Sequence, residues 1–424
     1  MNITFNDLYY ILIFFSITSI LITYMMSKTY ITAATAFWFG WLFLISGASY
    51  AIEQKWIPMI SSVSIEYLLN LFTGAFLGFN LASILFPVKR NVQSYNILLE
   101  KTDFILNKLS NKFLIILFLL GSVFLLQRIS QVGFNMDYLE NVRSLYNQHN
   151  RQFIDKVATH IGVIVSFLII LMAVRDSKKG VNVKHLGLVV LAAAPLGLAN
   201  GGRTFLLNYL ILYMSSLLLI RGVYGNNRYL LSKKEWIKIL IYLFSLLFVF
   251  SILGFFRGGY GKEFDMLFTI LIWPVSTMGA MDTWISTALA SKGTNGYFTF
   301  GWFSSFLNGI GFVDFSQEYL RIKQVFLSFF KTHNSAAFIP KSILPDLIFD
   351  FGRSGPFIGM FIISFILQFF TLRFVGRGIF LHVLGSLSIL TAFNSIQTSV
   401  LTPPIVVTLV WALVFSILIR IKYK

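Results

Sequence analysis

The sequence predicts an all-α polytopic membrane protein of about eleven transmembrane helices, up to thirteen, with one large outer loop carrying re-entrant or surface helices. Three observations lead to this fold class. Of the 424 residues 56% are hydrophobic and only 12% charged, with a mean hydropathy of +0.75, which leaves too little polar surface to cover a water-soluble globule. The apolar residues are gathered into eleven runs, each near the length that crosses a hydrocarbon core of about 30 Å. The lysines and arginines fall on alternate connections between those runs, the pattern of the positive-inside rule.

In chain order the runs are Phe5–Met26, Ile31–Ala51, Ile65–Phe86, Phe113–Gly133, Val157–Val174, His185–Ala199, Thr204–Ile220, Ile237–Phe256, Pro356–Phe374, Ile379–Gln397 and Leu401–Ile419. The first lacks a basic leader and an Ala-x-Ala-like exit, so it is expected to remain as a span rather than be cleaved. The basic connectors are Lys89–Lys112, Arg175–Lys184, Arg221–Lys238, Arg373–Arg377 and the tail from Arg420. This places the N-terminus outside and the C-terminus in the cytoplasm. Counting Lys28, the inner side then carries 20 of the 34 Lys and Arg against Glu100, Asp103, Asp176 and Glu235. The net charge of +17 is thus an orientation signal, and no nucleic-acid partner is expected. The absence of cysteine excludes disulfides, thiolate metal sites and a cysteine nucleophile.

Between Gln93 and Lys108, Ile97, Leu98, Phe104 and Ile105 recur at helical spacing among charged residues. The pattern fits a helix on the inner membrane surface as well as it fits a solvated linker. Outside, three connections stand out: Phe134–Lys156, the four-residue Asn200–Arg203, and the long Arg257–Gly355. The last divides the chain into an N-terminal eight-helix membrane region (1–256), a large extracytoplasmic loop (257–355) and a C-terminal three-helix region (356–424). Within the loop, Met266–Ala290 and Phe298–Phe315 are apolar but broken by Pro274, Gly279, Asp282, Gly301 and Gly309. Non-helical backbone at membrane depth needs protein or a wet cavity to satisfy it, so these read as re-entrant or surface helices, with two further spans as the alternative. No internal repeat or matched pair of broken helices appears, which weakens a secondary-transporter reading.

The candidate chemistry lies at the outer ends. Arg203 follows Gly201 and Gly202 in a connection too short to leave the membrane surface, and its planar fork suits phosphate; a snorkelling anchor is the plainer reading. Arg257 repeats the arrangement before Gly258, Gly259 and Gly261, so the two junctions can hold one anionic group between them. Arg128, about one turn inside its run, needs a partner or a wet cavity. Arg143 and Arg151 are matched by Asp137, Glu140 and Asp155 and read as a solvated loop. His333, in Thr332-His-Asn-Ser335, is the best-placed histidine for general acid–base work, against the commoner structural role. His149, His160, His185 and His382 are weaker. Asp350 ends an apolar run just before Gly352, Arg353 and Gly355; it could activate a hydroxyl, orient an arginine, or cap the following helix. Glu263 and Asp265 make a weak metal signal, and no metal or other cofactor is expected. Phosphate-loop, zinc and Gly-x-Ser-x-Gly patterns are absent.

With these residues in view, the chain resembles the Wzy-type polymerases, multispanning enzymes that join lipid-linked oligosaccharide repeat units into O-antigen or capsular polysaccharide. The resemblance covers the whole span layout with its dominant outer loop. Locally it rests on Gly201-Gly-Arg-Thr-Phe-Leu-Leu207, on Arg257 leading the loop, and on His333-Asn334 through Leu347-Ile-Phe-Asp350-Phe-Gly352-x-x-Gly355. After Asn334 this chain has Ser335-Ala-Ala337 where many members have an aromatic and a Thr. The resemblance implies a glycosyltransferase of the bacterial cytoplasmic (inner) membrane, acting on its periplasmic side. Its partners are a polyprenyl-pyrophosphate-linked glycan donor and acceptor, membrane lipid and a chain-length regulator protein. On that reading Arg203, Arg257, Arg128 and Arg353 bind the substrate with Tyr260 and Asn334, and His333 or Asp350 takes the acceptor proton. A ligase moving the same donor to a lipid core, or a lipid-linked glycan flippase, are the rival readings.

Overall fold

The computed structural model describes residues 4–55, 57–108, 111–133, 153–199, 204–225, 231–255, 278–279, 281–289, 343–395 and 403–422. These form helices α1 (Phe5–Ser27), α2 (Ala33–Glu53), α3 (Ser62–Leu85), α4 (Val92–Lys108), α5 (Asn111–Val132), α6 (Phe153–Lys179) and α7 (Val183–Ala199). They continue as α8 (Thr204–Tyr224), α9 (Lys233–Phe255), α10 (Met281–Leu289), α11 (Ile343–Phe351), a 3-10 turn (Gly352–Ser354), α12 (Gly355–Phe374), α13 (Ile379–Asn394) and α14 (Pro403–Lys422). No strand occurs among the described residues. Within the described residues, every one of the eleven apolar runs overlaps one of these helices. Five are long and apolar enough to cross a membrane: α1, α2, α3, Leu114–Val132 of α5, and the stretch Ile343–Phe374 that joins α11 to α12. The protein is therefore a helical one with several candidate membrane-crossing helices.

The helices pack as two compact units. One comprises Met1–Val88, Ile270–Arg373 and Ser388–Val406; the other Lys89–Thr269, Phe374–Leu387 and Val407–Lys424. These bounds follow helix packing, whereas the three regions read from the sequence followed the order of connections.

In the first unit, helix starts are fixed by their own side chains. Thr4 caps α1 by accepting from the Asp7 amide at 3.2 Å while Asp7 accepts from the Thr4 amide at 2.8 Å, a reciprocal capping box. Thr32 and Ser61 cap α2 and α3. The core is aromatic: Phe37, Trp38, Trp41, Phe72 and Phe79 are fully buried and meet edge-on or tilted. Against it α3 carries Gly74 and Gly78, four residues apart. A Cβ on Gly74 would lie 2.3 Å from the Phe357 carbonyl oxygen, and one on Gly78 2.3 Å from that of Phe361. This small-x-x-x-small stripe brings α3 against the backbone of α12.

In the second unit α5 packs on α7 and α6 on α8. Gly121 faces Pro195 and Leu196 closely. Tyr209 donates to the Gly162 carbonyl at 3.2 Å, and Tyr213 to Asp176 at 2.7 Å. Helix α4 is a true helix docked on α6. Leu98, Leu99, Thr102 and Leu106 are buried, whereas Ile97, expected on the apolar face, is exposed. Tyr95 meets the Ser177 hydroxyl at 2.9 Å, and Lys179 donates to Asp103 at 2.9 Å. Thus Leu98, Leu99 and Leu106 of α4 are covered by protein, while Val92 and Ile97 stay exposed.

Candidate functional site

The candidate segment around Asp350 is built from its glycines upward. Helix α11 ends where Gly352 adopts φ +67°, a left-handed turn open to glycine. Three residues on, Gly355 starts α12 so near the preceding helix that a Cβ would stand 2.1 Å from the Leu347 carbonyl oxygen. The two glycines of Asp-Phe-Gly-x-x-Gly therefore have a backbone reason to be there, independent of chemistry. They fold the chain from a short helix into an apolar one.

Helix α11 is enclosed: Ile343 through Asp350 are all buried. Its first amide donates to the Ser395 carbonyl at 2.9 Å, and the Ser395 hydroxyl in turn receives the Trp41 indole N–H at 3.2 Å. Leu344, Leu347, Ile348 and Phe349 join the aromatic core of the first unit, and α10 and α3 pack against the helix. Asp350 is thereby held at 5% exposure in the last turn of α11. Arg353, three residues on in the 3-10 turn, is exposed.

One helical turn before Asp350 stands Asp346, fully buried. The sequence reading passed over it, although the signal was present: two acids at i and i+4 within the apolar run Ile343–Phe351 share one helix face. Asp282 was also missed, having been read only as an interruption of the apolar stretch. Its carboxylate accepts the Ser61 amide at 3.0 Å and the Ser61 hydroxyl at 2.7 Å, so it secures the N-terminus of α3 through that helix's own capping residue. It also lines a cavity of about 420 Å³ with Ser61, Ser64, Ile285, Ser286 and Leu289. Buried or capping carboxylates thus gather on α10 and α11 of a single unit. Among the described residues no three His, Cys, Asp or Glu side chains converge as a metal-holding group.

Arg128 lies on α5 in the second unit, 5% exposed, with its guanidinium donating to Gln131 at 2.9 Å. The expected partner for an arginine inside an apolar run thus includes a neighbour on its own helix. His382, set aside on sequence grounds, is buried with Nε2 at 2.8 Å from the Ser216 hydroxyl. Arg203, Arg257, Tyr260, His333 and Asn334, together with Glu263 and Asp265, lie outside the described residues. Of the predicted site, the structure places Asp350 and Arg353 on adjoining turns and Arg128 in the other unit.

Comparison with models of known protein families, with curated proteins and with solved structures finds no match to this chain.

Proposed function

We propose that the protein is a membrane glycosyltransferase that polymerises polyprenyl-pyrophosphate-linked oligosaccharide repeat units on the outer face of a bacterial cytoplasmic membrane. The observation that carries this reading is the helix–turn–helix at Asp350. A carboxylate is held buried at the junction between a short enclosed helix and an apolar helix of membrane-crossing character, in the segment that resembles the polymerases. The alternation of basic connectors supports eleven spans with this junction outside.

In the proposed reaction the bond between the sugar anomeric carbon and the lipid pyrophosphate oxygen breaks. A new bond forms from that carbon to the terminal hydroxyl of an incoming lipid-linked repeat. The acceptor proton passes to a base, Asp350 or His333, and polyprenyl pyrophosphate departs with its charge met by Arg203 and Arg257. The energy resides in the donor bond, so no nucleotide is required.

Glycan length profiling tests the reading. Deletion is expected to remove long chains while single repeats still reach the surface; loss of all surface glycan would instead mean ligation or flipping. Asp350→Asn is expected to cut chain growth at least about a hundredfold, the scale of a lost general base, with the protein still inserted. Unaltered chain lengths in that variant would remove Asp350 from the mechanism, and unaltered lengths in both Arg203→Ala and Arg257→Ala would sink the pyrophosphate clamp.

A further inference from the structure

The second unit contains a cavity that the proposed reaction does not use. It measures about 310 Å³ and lies between α4, α6 and α8, lined by Tyr95, Asn96, Leu99, Ser177, Lys178, Ile220, Arg221, Tyr224 and Gly225. No carboxylate is among these nine residues. Its wall is the parallel stack of Tyr95 on Tyr224, ring centroids 4.5 Å apart and 10° from coplanar. The stack is fixed at both edges. Tyr95 meets Ser177, while Tyr224 donates to the Val375 carbonyl at 3.2 Å and lies against Gly376, where a Cβ would come within 2.5 Å of the ring.

The charges around the cavity do not balance. Asp176 is paired with Arg175 at 3.1 Å, Glu235 with Arg221 at 2.7 Å, and Asp103 with Lys179 at 2.9 Å. Those three pairs engage three of the four acids on this side; the fourth, Glu100 of α4, is exposed and does not line the cavity. Arg221 is nearly saturated, since it also donates to the carbonyls of Asp176 and Ser177. Lys178 and Arg377 are left without a carboxylate among the described residues. Lys178 lines the cavity and is exposed; Arg377 is half-buried and directly follows Gly376, which lies against the Tyr224 ring.

We propose that this cavity binds the phosphate of an anionic phospholipid, with Lys178 and Arg377 supplying the charge and Asn96 a hydrogen bond. A phospholipid suits the lining better than a free anion does, because Leu99, Ile220 and the tyrosine faces offer apolar wall beside the donors. Exposed Val92 and Ile97 of α4 continue that apolar character. Basic pockets between membrane helices select acidic lipids by this combination.

Native mass spectrometry of the detergent-purified full chain tests the proposal, using phosphatidylglycerol and phosphatidylcholine as probes. The wild type is expected to retain phosphatidylglycerol preferentially. Lys178→Gln with Arg377→Gln should lower that retention about thirtyfold, the scale expected for two lost lipid-facing charges. Lys178→Gln alone should give an intermediate loss, and Lys234→Gln, on an exposed position of α9, no change. Equal retention of both lipids by the wild type, or full retention by the double variant, would overturn the proposal. Displacement of phosphatidylglycerol by excess inorganic phosphate would also overturn it in favour of a free-anion site.

Discussion

The two units solve the same problem, joining helices through polar groups, with different chemistry. In the first, Gln368 of α12 is fully buried. Its carbonyl accepts the Ala34 amide at 3.1 Å, and its amide donates to Ser83 at 2.9 Å and Thr23 at 3.5 Å. One neutral side chain thus ties four helices, and it satisfies an N–H of the first turn of α2 that has no partner within that helix. In the second unit the corresponding work is done by charge. Arg221 in the last turn of α8 holds Glu235 in the first turn of α9 through two bonds of 2.9 and 2.7 Å, each sign at the helix end that favours it. Asp176 sits at the unfavourable end of α6 but is met by Arg175, Tyr213 and the Asn182 amide. In these two junctions a neutral amide serves within a helix long enough to span, and the ion pair is placed at helix ends. Burying a charge costs far more than burying an amide unless every bond is met.

The largest test strikes the crossing that brings Gln368 into place. Gly74→Ala with Gly78→Ala would drive two Cβ atoms into carbonyl oxygens of α12, and a loss of about 4 kcal/mol is expected from such overpacking. Thermal unfolding in detergent measures it, and a wild-type midpoint would show that α3 and α12 do not cross this closely. Next is the ionic junction. Its hydrogen bonds to Arg221, against the opposing effect of burial, hold the Glu235 carboxyl down at about 2. Because the folded value lies below the ordinary one of 4.5, this stabilisation is fully present above about pH 4.5 and is lost as pH falls towards 2. About 2 kcal/mol is expected over that window, allowing for partial solvent contact. Glu235→Gln should remove the slope, and an identical pH profile in the variant would refute the assignment.

Gln368→Leu should cost about 1 kcal/mol, the scale of interhelical hydrogen bonds in membranes; a loss as large as that at the ionic junction would erase the contrast between the units. The smallest effect is expected at Lys179–Asp103, where the side chains are 58% and 34% exposed. Lys179→Gln should change stability by less than about 0.5 kcal/mol, and salt should mask it. A larger effect would mean that α4 depends on that pair for docking.

Much of the helical framework was legible because an apolar run and a basic connector are local properties. Within the described residues all eleven runs overlap helices, whereas the spacing between Gln93 and Lys108 fitted a helix and a linker equally and the structure decided for the helix. The direction of its faces could not: Ile97 looks like Leu98 in the sequence, and only docking on α6 decides that one is buried and the other exposed. The same limit applies at the candidate site. Asp350 was singled out by its glycines; Asp346 had a local signal in its i, i+4 spacing to Asp350, but the interest of Asp282 arises from Ser61, more than two hundred residues away in sequence.

What the sequence determined by itself is the class of the molecule, its apolar helices and the places where charge gathers, since each follows from composition over one or two dozen residues. The tertiary structure decided which helices share a unit, which acids are enclosed and which cations remain unmatched. The junction of Leu347, Asp350, Gly352 and Gly355 draws on both. Its glycines announce a turn, but the 2.1 Å that forbids a side chain at Gly355 exists only once two helices have packed. Burial and pairing are properties of neighbours, and these neighbours come from distant parts of the chain.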